Sequence, residues 1–136
     1  MSIAENIAAV RSRIAAAAES AGRRPEDILL VGASKMNDAA ACREAIAGGL
    51  TALGENRVQE LLEKDAQGAY AGAALHFIGR LQRNKVKYLV GRVDLIESID
   101  SLAILQEVQR LAEKRGVTQD ILLEVSAAGE ASKGGL

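Results

Sequence analysis

The feature that most limits what this chain can fold into is an alternation of two patterns. Apolar runs four to six residues long, at 28–33, 51–54, 75–78, 93–97 and 120–125, are separated by longer stretches with helical signals. The run at 28–33 shows no polar alternation, as expected of a strand buried on both faces. The intervening stretches predict helices over 38–47, from Asn56 to about 66, 83–90, and from Asp100 through 115. Asn56 can cap the second, with Gln59 at its third position, and Asp100 can cap the last, whose Leu102, Leu105, Val108 and Leu111 share a face. A further helix precedes the first run. Ser2 and Glu5 have capping-box spacing, Ile3, Ile7, Val10 and Ile14 form a stripe, and Gly22 then Pro25 end it. Strands alternating with helices predict the α/β class, with parallel strands and crossover connections.

Two architectures fit: a doubly wound five-stranded sheet, or part of a (β/α)8 barrel. A whole barrel takes about 250 residues, and this chain has 136. No helix is predicted after the run at 120–125, so residues 1–136 read as one partial barrel domain, the front of a longer one. Its open sheet edge would be prone to aggregation.

Composition narrows the function classes. Hydrophobic residues make up 49% and aromatics 2%, so the core must be built from Ala, Leu, Ile and Val. A net charge of −1 gives no general attraction to nucleic acid or to an anionic membrane. The basic cluster Arg80, Arg83, Lys85, Lys87 and Arg92 reads as a solvated helix face. Cys42 is the only cysteine, which excludes an intramolecular disulfide and suits a reducing cytoplasm. No signal-peptide pattern and no apolar stretch of about 18 residues is present, so a cytoplasmic protein without a membrane span is expected.

In either architecture ligands bind at the carboxyl ends of the strands. Those ends carry Ser34 and Lys35, then Gly54, Glu55 and Asn56, then Gly79 to Gln82, then Ser98 and Asp100, then Ser126, Glu130 and Lys133. Lys35 is the candidate with chemistry. Partial burial and nearby positive charge would expose a neutral amine, which can attack an aldehyde to form an imine. The alternative is a lysine pointing to solvent from an ordinary loop. His76, the only histidine, reads as a hydrogen-bonded core or rim residue, and with no second histidine or cysteine near it a zinc site is not expected. Glu55 and Glu130 form at best a weak acid/base candidate, and no glycine-rich phosphate loop is present.

At these positions the sequence resembles a known family. LLVGASK (29–35), LGENRVQELLEK (53–64), LHFIGRLQRNKVKYL (75–89), VDLIESIDS (93–101) and ILLEVSAAGEASKGGL (121–136) are similar, in order, to segments of the pyridoxal phosphate homeostasis proteins, the YggS/PROSC family. The GEN-x-VQE and HFIG-x-LQ-x-NK patterns carry the resemblance, which covers nearly the whole chain. It implies a barrel similar to the N-terminal domain of alanine racemase. It implies that Lys35 forms the internal aldimine with pyridoxal 5′-phosphate (PLP), that Asn56 lies close to the cofactor, and that Lys133 is a second amine near the barrel mouth. It further implies a monomeric protein that buffers PLP and passes it to PLP-dependent apo-enzymes, with no catalytic activity of its own and no nucleic-acid or membrane partner. Met36, Asn37 and Asp38 depart from the family's S-K-T-x-P, which should alter the helix entry. The phosphate-binding loops are expected in βα units beyond Leu136. Two other readings remain: a fragment of a PLP-dependent racemase or decarboxylase, and an α/β interaction module that does not bind PLP.

Overall fold

The computed structural model describes residues 1–129 and 134–136. Helix α1 spans Ile3–Ser20, and the Ser2 hydroxyl accepts from the Glu5 N–H at 3.1 Å, as the capping box predicts. A 3-10 turn at Pro25–Asp27 leads to strand β1, Gly32–Ala33. There follow α2 (Ala39–Ala47), β2 (Ala52–Glu55), α3 (Val58–Ala66) and β3 (Ala74–Phe77). A 3-10 helix at Arg83–Tyr88, β4 (Leu95–Ile99), α4 (Leu102–Arg115) and β5 (Asp120–Leu123) complete the order. The five strands pair in chain order, all parallel. Of the two α/β architectures that the alternation allows, this is the barrel-like one. A doubly wound sheet would instead reverse its strand order at a switch point.

The two faces of the sheet differ, and the glycines locate them. A Cβ on Gly32 would meet Leu50 and Leu53, on the side of the helices. There Leu53, Leu61, Phe77, Val86, Leu89 and Ile96 make a core almost free of solvent. A Cβ on Gly54 would instead lie 2.9 Å from Ile78 and 3.2 Å from Val31, so these three share the opposite, inner face.

Several boundaries and faces differ from the sequence reading. The apolar run at 28–33 is not a strand buried on both faces: only Gly32 and Ala33 pair, and Leu29 is 58% exposed. It lies at the sheet edge with a single neighbour, β2. The cap of α4 is Ser101, whose hydroxyl accepts from the Ile104 N–H at 3.2 Å, and not Asp100. The buried stripe of α4 is accordingly Ile104, Val108 and Leu111, and Leu102 faces solvent. The segment 83–90 winds as a tighter 3-10 helix over Arg83–Tyr88.

Candidate functional site

The carboxyl end of β1 leads straight into Ser34 and then Lys35. Ser34 is buried and Lys35 exposed in the turn that follows. The partial burial expected of Lys35 is therefore not observed. What is fixed is its backbone. The Ser34 N–H donates to the Gly54 carbonyl at 3.0 Å and the Ser34 carbonyl accepts from Lys64 Nζ at 2.7 Å. The Met36 N–H donates to Glu60 Oε2 at 2.8 Å. Met36 holds φ at +64°, a left-handed conformation unusual for a side chain other than Asn, Asp or Gly.

Beneath this turn, on the helix side, lies a buried polar cluster. Glu55, the last residue of β2, is fully buried. Its Oε2 accepts from the Ser34 hydroxyl at 2.7 Å, from Tyr70 at 2.6 Å and from Lys64 at 2.9 Å. Lys64 also pairs with Glu60 at 2.9 Å. Burial pulls the Lys64 ammonium down, but the hydrogen bonds to Glu55 and Glu60 outweigh it and hold the group above its ordinary value. Burial pushes Glu60 up, and the bonds from Lys64 and the Met36 N–H more than offset that, so its carboxyl sits below the usual range. Burial, then the bond to Glu55, drives the Tyr70 hydroxyl strongly upward, so it stays protonated as a donor. Burial also raises the Cys42 thiol beside this cluster. Glu55 thus acts as the central acceptor of this cluster; Glu130, its imagined acid/base partner, and Lys133 lie outside the described residues.

Asn56 follows β2, as Lys35 follows β1, and β1 and β2 are neighbours in register. Asn56 does not cap α3: the cap position is Arg57, with no side-chain capping bond. The helix starts one residue later than the sequence suggests. The Asn56 Oδ1 is instead buried without a hydrogen-bond partner among the described residues. Gly79, after β3, presses on the Asn56 backbone so closely that any side chain there would overlap its carbonyl. On β3, His76 is buried and its Nδ1 lies 2.8 Å from Glu97 of β4, as expected of a hydrogen-bonded rim residue.

An orphaned buried acceptor and an accessible amine that follow adjacent strands suit a ligand that brings both a donor and an aldehyde. A pocket of about 210 Å³ between α1 and α2 is on the helix side and lined mostly by apolar groups. It has no cation for an anionic ligand, and the chemistry points to the strand ends. The basic cluster is mostly solvated as predicted, with Arg92 paired to Asp65 and Arg83 near Glu107.

Curated relatives resemble the chain over nearly its whole length. The chain is 45% identical over 136 residues to the pyridoxal phosphate homeostasis protein of Aquifex aeolicus, covering all of this chain and 60% of that protein. It is 44% identical to the protein of the same name from Pseudomonas aeruginosa, over 98% of this chain and 58% of the relative. The chain is thus similar, over nearly all of its length, to proteins named pyridoxal phosphate homeostasis protein. It spans about three fifths of the length of these relatives. Among solved structures, PipY of Synechococcus elongatus with PLP bound superposes at a TM-score of 0.82 with 35% identity, over 98% of this chain and 58% of PipY. A protein of unknown function from Bifidobacterium adolescentis superposes at 0.88 with 37% identity, again over 98% of this chain and 58% of that one. No protein-family model matches the chain. Among the described residues no helix is long and apolar enough to cross a membrane, and no cluster of metal-ligating side chains is present.

The sequence singled out Lys35 and Asn56 and missed the cluster that ties down the turn carrying Lys35. A signal existed. Lys64 falls three residues after Leu61 and six after Val58, on the buried stripe of α3. A charge on such a stripe requires a buried partner.

Proposed function

We propose that this chain is the PLP-attaching part of a homeostasis protein, in which Lys35 Nζ is the covalent attachment point and Asn56 lies beside the cofactor. The observation that carries the reading is the pairing of an accessible amine with an orphaned buried acceptor at neighbouring strand ends. It occurs in a chain that superposes on PipY, a protein solved with PLP bound. PLP supplies an aldehyde that condenses with a primary amine and releases water. The chain contributes a lysine whose backbone is held rigid, on a face open to an exchange partner. We read this as carriage rather than catalysis. The relatives' name, homeostasis protein, supports that reading, and His76, bonded to Glu97 at 2.8 Å, is read as a rim residue. In the cell, this reading makes PLP-dependent apo-enzymes the recipients of the cofactor and the cytoplasm the place of exchange.

The test is to incubate the chain with PLP, reduce with borohydride and map the modified lysine by mass spectrometry. Lys35 is the expected site, and equal labelling of Lys35→Ala and parent would overturn the assignment. Incubation with PLP and amino acids in heavy water separates carrier from enzyme. Protein-dependent exchange of the α-proton would favour a racemase-type activity instead.

A further inference from the structure

We infer that Glu60 and Lys64 of α3 position Lys35 for attachment of the aldehyde, acting through the backbone on both sides of it. The inference rests on the function proposed above. Lys35 is bracketed. On its amino side Lys64 Nζ holds the Ser34 carbonyl at 2.7 Å, and on its carboxyl side Glu60 Oε2 holds the Met36 N–H at 2.8 Å. The two clamps are joined, because Lys64 and Glu60 pair with each other at 2.9 Å. Glu55 completes the support by accepting from Lys64 and from the Ser34 hydroxyl.

The Met36 conformation points to the clamp, which acts beside two bonds from Asn37, its N–H to the Ser34 carbonyl at 3.1 Å and its Nδ2 to the Lys35 carbonyl at 3.2 Å. Its side chain is 94% exposed, so no packing of that side chain compensates for a φ of +64°. A residue is held in the left-handed region only where its surroundings fix it. Among the described residues, the bond that Met36 makes there is the one to Glu60. A lysine side chain has four rotatable carbons and loses rotamer freedom when it attaches to a ligand. A rigid backbone at its root reduces what remains to be ordered. The attachment itself balances without a further reactant. The neutral Nζ bonds to the aldehyde carbon, two protons and the aldehyde oxygen leave as water, and a C=N bond remains. Borohydride then delivers hydride to that bond in the trapping assay.

Glu60 provides the decisive variants because its side chain is partly exposed and its loss leaves the apolar core intact. Glu60→Ala removes the acceptor for the Met36 N–H. Glu60→Gln keeps an oxygen in that place without the charge. The readout is the PLP concentration for half-maximal imine absorbance, followed by borohydride trapping at Lys35, with thermal melting alongside. Loss of one charge-assisted hydrogen bond predicts about a ten-fold weaker attachment for Glu60→Ala. Glu60→Gln should recover most of it, and both variants should melt as cooperatively as the parent. Attachment by Glu60→Ala as tight as the parent's would overturn the inference and leave the function of Lys35 standing. So would an equal loss in Glu60→Gln. A parent chain that attaches no PLP at Lys35 would instead overturn the functional reading and this inference with it.

Discussion

Lys64 is the residue whose surroundings are most demanding. A buried ammonium is stable only while its partners are in place, and here it has two carboxylates and a carbonyl. Lys64→Met leaves the fully buried Glu55 carboxylate without its cation. The expected cost is about 3–5 kcal/mol in urea unfolding, and adding Glu55→Gln should recover part of it. A double variant no more stable than the single one would contradict that account. Two titrations bound the pH range of the cluster. Glu60 has a carboxyl lowered by folding, so its contribution is present above the unfolded value of 4.5 and is lost as pH falls through the folded one. Lys64 is raised, so its contribution is present below 10.5 and is lost as pH rises through the folded value. The urea midpoint of the parent should therefore fall between about pH 6 and about pH 3 more steeply than that of Glu60→Gln. Parallel profiles would show that Glu60 carries no such linkage. At this scale the sequence named the amine and the asparagine but not their support. Ser34, Glu55, Lys64 and Tyr70 are scattered over 37 positions of the chain, from 34 to 70, and only the fold brings them together.

Elements were legible where local chemistry marks them. Ser2 and Glu5 announce α1, and Gly116, at φ +65°, ends α4 as a left-handed glycine does. Capping residues next to one another were less legible. Asp100 and Ser101 both suit a cap, and Ser101 takes it, while Asp100 accepts weakly from the Gly135 N–H at 3.4 Å. For Asn56 the deciding influence was non-local, since the β3–Gly79 segment pins its backbone before the helix begins. Gly79→Ala should displace the Asn56 loop, lowering the melting temperature and weakening PLP attachment together. A melting temperature and an attachment both like the parent's would show that the close approach has slack.

At the scale of the molecule, the five parallel strands leave both outer edges of the sheet unpaired by another of these strands. The alternation of apolar runs and helices was sufficient to predict parallel order, because short crossovers bring successive strands side by side. It could not predict which strands would be buried on both faces. That depends on neighbours, and β1 and β5 each have one. Leu122, Leu123 and Val125 are each half exposed or more, next to the β5 edge. The chain should therefore associate with rising concentration, which light scattering detects, and Leu123→Lys on the edge strand should reduce that association. Scattering independent of concentration would contradict this reading of the edge. The central claim concerns Lys35, and one measurement reaches it directly: borohydride trapping of PLP on parent and Lys35→Ala, mapped by mass spectrometry. The account predicts modification concentrated at Lys35 in the parent and lost in the variant. Label spread over exposed lysines, undiminished in Lys35→Ala, would contradict it.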